Sequence, residues 1–211
     1  MKRTPYKIAD EAAAKITSQL KKEFRHNRLA LFDETNILKT KKHVHKLYRD
    51  VTKIIKKELF AVVDYISKEI YDEALALGFD GDVRDLDEAW IEEFFEEFNP
   101  VTKYVFNNEI ERKESRLFEA LVSNKRELHR SYKTAENLLL RQVKQYGIDL
   151  EDEIAMVVYK AVGVKKVMWV TEDDSKTCGD CKELDGEIYK IEEAPPKLHP
   201  NCRCYYVPVK E

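Results

Sequence analysis

The C-terminal stretch Thr177–Val209, TCGDCKELDGEIYKIEEAPPKLHPNCRCYYVPV, contains all four cysteines of a 211-residue chain. Three of the six prolines lie just before or within its HPNCRC segment. Clustered cysteines usually bind a metal or form disulfides. The N-terminus has no continuous apolar segment of the kind that directs secretion, so we expect a reducing compartment. Thiolates in such a compartment hold metal more often than they form disulfides.

The spacing of these residues is typical of a zinc site. Cys178 and Cys181 form a C-x2-C pair, His199 and Cys202 form an H-x2-C pair, and Cys204 adds a fifth donor. Zinc prefers four such ligands in a tetrahedron, often as two short pairs from separate segments. We therefore expect a structural zinc ion held by four of these five residues.

Two ligand sets satisfy this expectation, and both stay open. The first forms two x2 knuckles, a geometry that favours it, and consists of Cys178, Cys181, His199 and Cys202. The second places two ligands on one face of a strand, and consists of Cys178, Cys181, Cys202 and Cys204. A redox C-x-x-C, structural disulfides and a metal-free packing motif are the alternatives. The acidic EDD segment at 172–174 argues against the redox motif, because negative charge raises thiol pKa values.

The chain before this stretch has the apolar spacing of helices. One stripe recurs at every fourth residue, at Ile8, Ala12, Ile16, Leu20 and Phe24. A long helix follows, with apolar positions from Leu47 to Ile70 and Gly78 as its C-terminal cap. Further helices are expected over 101–122, over 125–146 with its end at Gly147, and from the capping residue Asp149 to Gly163. An aromatic stripe between Trp90 and Phe98 is expected to pack in a helical core.

The pattern changes near Val164. The segments VKKVMWVT and CRCYYVPV are rich in β-branched and aromatic residues and predict two strands, with Pro208 at a sheet edge or strand end. We expect a mainly α protein, in which an elongated helical region over 1–163 precedes a small α+β Cys/His knuckle over 164–211. A domain of that size usually needs a metal or a neighbour to complete its core.

Charge is distributed unevenly along the chain. Residues 1–60 contain 16 Lys and Arg against 7 Asp and Glu, whereas residues 61–120 contain 6 against 17. The basic part is explained either by solvated helix faces or by contact with nucleic acid or an acidic partner. Glycine-rich phosphate loops and the common hydrolase motifs are absent from the sequence.

The cysteine-rich stretch resembles the phage minor head, or head morphogenesis, family named for the Mu F protein. That family's pattern reads W-x-T-x-x-D-x-x-T-C-x-x-C-x-x-L-D-G, then P-P-x-x-H-P-x-C-R-C. The positions that match it are Trp169, Thr171, Asp174, Thr177, Cys178, Cys181, Leu184, Asp185, Gly186, Pro195, Pro196, His199, Pro200, Cys202, Arg203 and Cys204. We expect Trp169 to cover the metal or the small core, and Arg203 to pair with Asp174 or Asp185 or to reach a partner.

The resemblance implies a structural minor head protein of a tailed phage or prophage, without enzymatic activity. Its expected partners are the portal protein, the capsid interior, or packaged DNA through the basic N-terminal region. We expect no membrane association and no small-molecule substrate, and a location in the virion or, during assembly, in the host cytoplasm. A zinc-knuckle nucleic-acid-binding protein and a redox or hydrolytic enzyme are the competing hypotheses.

Overall fold

The structure is a computed structural model that describes residues 5–33, 37–81, 90, 93–94, 96, 125–172, 177–200 and 202–210. Three long helices come first, α1 (Lys7–Asp33), α2 (Ile37–Ala76) and α3 (Lys125–Ala161). They are followed by β1 (Lys166–Val170), the short helix α4 (Gly179–Glu183), β2 (Ile188–Lys190) and β3 (Tyr205–Val209). The expected class, a mainly helical protein with a small C-terminal sheet and a Cys/His cluster, is confirmed.

Two compact units divide these elements. The sheet unit combines Met1–Glu11, Ala61–Glu88 and Lys144–Glu211, and the helical unit combines Ala12–Phe60 and Ala89–Val143. Each long helix therefore contributes to both units. The boundary near residue 164, expected from the change in sequence pattern, stays a prediction.

The helical unit has the core that the apolar spacing predicts. Ala12, Ile16, Leu20 and Phe24 of α1 are buried, as are the matching positions of α2 and α3, which are Leu47, Val51, Ile55, Leu59, Tyr132, Ala135, Leu139 and Val143. Phe24 meets Tyr132 edge to face at 5.3 Å between ring centroids. Phe94 is buried and stacks with Trp90, whereas Phe95, Phe98 and the helix expected over 101–122 lie outside the described residues.

The sheet is antiparallel with the order β2-β1-β3. Pro208 lies opposite Val167 in β3, which is an edge strand, as expected for a residue without a backbone donor. Trp169 of the central strand is fully buried and meets Tyr206 of β3 edge to face. Trp169 therefore belongs to the small core.

Three helix ends were predicted from glycines, and two of them are found in the structure. Gly78 and Gly163 have φ values of 86° and 81° and follow α2 and α3, as expected. The predicted helix end at Gly147 is wrong, because α3 continues through it. A side chain at Gly147 would lie 3.1 Å from the carbonyl oxygen of Ala9, so the glycine permits close packing of α1 on α3 within the sheet unit. Asp149 and Asp152, expected near a helix start, are consequently in the helix interior.

Two elements near the cysteines were not predicted, and one strand is shorter than expected. The helix α4 and the three-residue strand β2 lack any clear periodic signal because they are so short. The strand expected over 202–209 begins only at Tyr205, so Cys202 and Cys204 precede it. The argument that these two cysteines share a strand face is therefore wrong.

Candidate metal centre

The first two candidate ligands are arranged by the short helix α4. Cys178 is its N-cap, with extended backbone angles, and its sulfur accepts a hydrogen bond from the Cys181 N–H at 3.4 Å. Cys181 lies one turn later and is 1% exposed. The capping interaction and the helical turn direct both sulfurs to the same point, since residues three apart share a helix face.

The second pair is arranged by a tight turn at His199. The N–H of Cys202 donates to the carbonyl of His199 at 3.2 Å. The imidazole Nδ1 lies 3.1 Å from the carbonyl oxygen of Pro200. Because a carbonyl only accepts, Nδ1 carries the hydrogen, and the Nε2 lone pair is left for a proton or a metal. A hydrogen bond of this kind is usual behind a metal-binding histidine.

Sulfur and nitrogen donors converge on Cys181. His199 Nε2 lies 3.3 Å from Cys178 Sγ and 3.4 Å from Cys181 Sγ, and Cys202 Sγ lies 3.6 Å from Cys181 Sγ. The donors form two overlapping groups, Cys178 with Cys181 and His199, and Cys181 with Cys202 and Cys204. In both groups all donor atoms are within 4.8 Å of one another.

These distances suit a tetrahedral zinc site. Bond lengths of about 2.3 Å to sulfur and about 2.0 Å to nitrogen imply edges of roughly 3.5 to 3.8 Å between ligand atoms. The observed separations of 3.3, 3.4 and 3.6 Å fall close to that range. Each of the two three-donor groups therefore has a donor set and a spacing that fit a metal ion, and the four cysteines are free thiols.

The ionisation of these groups follows their surroundings. The hydrogen bond from the Cys181 backbone lowers the pKa of the Cys178 thiol, with the Cys181 side chain and His199 contributing next. Burial raises the pKa of Cys181, and it raises that of Cys204 to about 11. The contact with the Pro200 carbonyl is the main cause of a raised pKa at His199. Buried thiols resist ionisation, and a bound cation would remove that resistance.

A tyrosine from the N-terminal segment lies behind the cluster. Tyr6 is 1% exposed and has φ of 60°, an uncommon conformation for a residue other than glycine. Its hydroxyl lies 2.7 Å from the Cys204 carbonyl oxygen and 2.8 Å from Asp152 Oδ1, and it accepts a hydrogen bond from Lys197 Nζ at 2.7 Å. Its backbone N–H donates to the buried carboxylate of Glu151 at 2.8 Å.

Arg203 packs on the ring of Tyr6, and its charged partners were not predicted. Its guanidinium lies 5.2 Å from the Tyr6 ring centroid and forms ion pairs with Asp10 at 3.1 Å and with Glu172 at 3.0 Å. The expected pairing with Asp185 is wrong, because that carboxylate accepts the backbone N–H of Thr171 at 2.7 Å. Asp174, the other expected partner, lies outside the described residues. Asp10 is 193 positions from Arg203, so no local pattern could have identified it.

Comparison with protein-family models gives a match in the C-terminal part of the chain. The model of a family described as Phage Mu protein F like protein matches residues 109–207. No curated protein and no solved structure matches the chain. Among the helices in the part of the chain that the structure describes, none is long and apolar enough to span a membrane.

The matched region contains all five candidate ligands and most of the sheet. The family resemblance inferred from the cysteine-rich stretch is thus confirmed by an independent match, and it points to a phage head-related protein. Residues 109–207 are similar to the family described as Phage Mu protein F like protein, and this match supports a Mu F-like head morphogenesis family.

Proposed function

We propose that the chain is a structural minor head protein of a tailed phage or prophage. It acts in head morphogenesis by contacting the portal, the capsid interior or packaged DNA. The family match over residues 109–207 carries this proposal, since that family is typically structural rather than enzymatic. Its location is then the virion, and the host cytoplasm during assembly.

In this proposal a structural zinc ion holds the C-terminal part of the sheet unit together. Its proposed ligands are Cys178, Cys181, His199 and Cys202, because His199 Nε2 lies 3.3 and 3.4 Å from the sulfurs of Cys178 and Cys181, and Cys202 Sγ lies 3.6 Å from Cys181 Sγ. Cys204 is the fifth donor, and its carbonyl is occupied by Tyr6. When bound, zinc would cross-link the segment that carries Cys178 and Cys181 to the segment that carries His199 and Cys202.

The test is co-assembly with the head proteins of the same phage or prophage. The full chain is co-expressed with the portal and major capsid proteins, and procapsids are isolated by sedimentation. We expect the chain to co-sediment in a constant number of copies per particle. A second preparation without the portal distinguishes the two protein partners. A chain that binds the capsid interior would still co-sediment with these particles, whereas a chain that binds the portal would not. Procapsids that form normally and exclude the chain would contradict the proposal.

A second candidate function is a zinc-knuckle protein that binds nucleic acid outside the head. The clustered Cys and His donors and the basic residues 1–60 favour it. The same preparation distinguishes the two functions. A nucleic-acid-binding protein of this kind would be recovered with free DNA and not with procapsids.

A further inference from the structure

The exposed charges on the three long helices within the helical unit have one sign, although Glu93 and Glu96, which lie outside these helices, are exposed in the same unit. Among the described side chains of α1, α2 and α3 in this unit, every exposed charged residue is basic. These residues are Lys15, Lys21, Lys22, Arg25, Arg28, Lys42, Lys46, Arg49, Lys53, Lys57, Arg130, Lys133 and Arg141. The acidic residues of the same helix segments are less accessible, with Glu23, Asp50 and Glu136 half-buried and Glu58 buried.

The most regular part of this surface is a row of five cations on α2, which we call the α2 ladder. Its members are spaced three or four residues apart and therefore share one helix face. They are Lys42, Lys46, Arg49, Lys53 and Lys57, all exposed. The buried residues Leu47, Val51, Ile55 and Leu59 occupy the opposite face. At about 1.5 Å per residue the α2 ladder is roughly 22 Å long.

Local geometry keeps this row accessible. An open depression of about 710 Å³ is lined at one end of the ladder by Lys42, His43, His45, Lys46, Tyr48 and Arg49. Lys46 also forms an exposed pair with Asp50 at 2.8 Å. Exposed pairs of this kind contribute little free energy, so a phosphate can replace the carboxylate at small cost.

The exposed charged residues of α2 change from basic to mainly acidic where the helix leaves the helical unit. Between Ala61 and Ala76 the exposed charged residues of α2 are Asp64, Lys68, Glu69 and Asp72, which are mainly acidic. The row of basic residues on α2 therefore does not continue into the sheet unit, and it does not reflect a uniformly basic helix.

The chemistry of this surface favours nucleic acid over a protein partner. Protein interfaces are depleted in lysine and depend on buried aromatic or aliphatic anchors. In the described part of the helical unit, Phe60 is the single large hydrophobic residue that is exposed. Interfaces with DNA are far more positively charged and gain most of their affinity from phosphate contacts and counterion release.

We propose that the α2 ladder binds the phosphate backbone of double-stranded DNA without sequence preference. This inference deepens the proposed function by assigning the DNA contact to one helix face. It rests on that function, because a phage head protein would meet packaged double-stranded DNA as its polyanionic partner. Lysine and arginine contacts to phosphates position a protein on the duplex and carry no sequence information, which is why we expect no sequence preference.

The experiment measures binding of the full chain to a labelled duplex of about 30 base pairs by fluorescence anisotropy at several salt concentrations. Five phosphate contacts predict a slope of about −4.5 for log K against log salt, which is about a twentyfold loss of affinity when the salt concentration doubles. The variant K42Q/K46Q/R49Q/K53Q/K57Q should lose most of the affinity and most of the slope. Each single substitution should reduce the slope by about 0.9.

A matched variant keeps the charge change and moves it to the sheet unit. It is K7Q/K68Q/K160Q/K165Q/K182Q, at five exposed lysines, and it should retain the slope of the unaltered chain. Equal losses in the two variants would overturn the inference, as would no binding by the unaltered chain. Circular dichroism checks that both variants fold, and the single substitutions decide the question if the five-fold variant does not. Absence of DNA binding by the unaltered chain, together with normal procapsid association, would reject this inference and leave the proposed function standing.

Discussion

At the scale of single residues, Tyr6 shows how distant parts of the chain are joined behind the metal centre. The residue lies in a left-handed conformation, with contacts to α3, to Lys197 and to the carbonyl of Cys204. The candidate metal ligands could be identified in the sequence because their spacing is local. Tyr6 could not, because its partner Cys204 is 198 positions away and an isolated tyrosine carries no pattern.

The carboxylate beneath Tyr6 should make stability depend on pH. Burial raises the pKa of Asp152 to about 6 from its ordinary value of 3.8, despite Lys197 and the Tyr6 hydroxyl nearby. The folded state therefore binds a proton more tightly than the unfolded state does. Asp152 stabilises the fold least when ionised, so stability from this residue is lost as pH rises from about 4 to about 6. The loss is at most about 3 kcal/mol.

The measurement compares urea unfolding of the unaltered chain and Asp152→Asn between pH 4 and pH 7. The free-energy difference should shift in favour of the variant up to about pH 6 and then stay constant. Asp64→Asn, at an exposed position on α2, is the control for the substitution itself. A difference that is independent of pH across this range would show that Asp152 does not titrate there.

At the scale of elements, α3 shows where sequence patterns mislead. A glycine followed by DLEDEI is a reasonable signal for a helix end and a new cap, yet the helix runs from Lys125 to Ala161. Tertiary packing decides the outcome, since Gly147 meets the backbone of Ala9. The stripes on α1 and α2 were predictable because periodic burial extends over several turns. The elements α4 and β2 are too short to carry a period.

The role of Gly147 can be tested by adding a side chain there. Gly147→Val should lower the free energy of unfolding by about 1–3 kcal/mol, because the new atoms crowd the Ala9 carbonyl and Cβ at 3.1 and 3.4 Å. Chemical denaturation measures the change. Asn137→Val puts the same side chain at an exposed position of α3 and should cost well under that amount. Equal effects would mean that helix propensity, and not packing, explains the glycine.

At the scale of the whole molecule, the sheet unit draws on both ends of the chain. Tyr6 and Ala9 form one apolar cluster with Ile148 and Tyr205, and Arg203 pairs with Asp10. The sequence predicts a C-terminal domain that begins near residue 164. The change from helical spacing to strand-forming residues at that point matches the end of α3 and the start of β1. The compact unit that contains the sheet also includes Met1–Glu11 and Ala61–Glu88, and the boundary near residue 164 stays a prediction.

This arrangement predicts a local response to metal removal. The purified chain should contain one zinc ion, and a strong chelator should raise amide hydrogen exchange in residues 177–204 while the buried α2 amides near Val51 and Ile55 stay protected. Zinc would restrain the cysteine segments directly, whereas the helical unit has its own core. Elemental analysis and exchange mass spectrometry give the two readouts.

A matched pair of cysteine variants decides between the two ligand sets. Cys202→Ser should lose the metal and match the exchange of the chelated chain. Cys204→Ser should keep about one zinc, since Cys204 lies outside the proposed set, and its carbonyl contact with Tyr6 does not need the thiol. Loss of metal in Cys204→Ser with retention in His199→Gln would favour the all-cysteine set. No metal in the unaltered chain, with exchange unchanged by the chelator, would reduce the cluster to a packing motif held by burial alone.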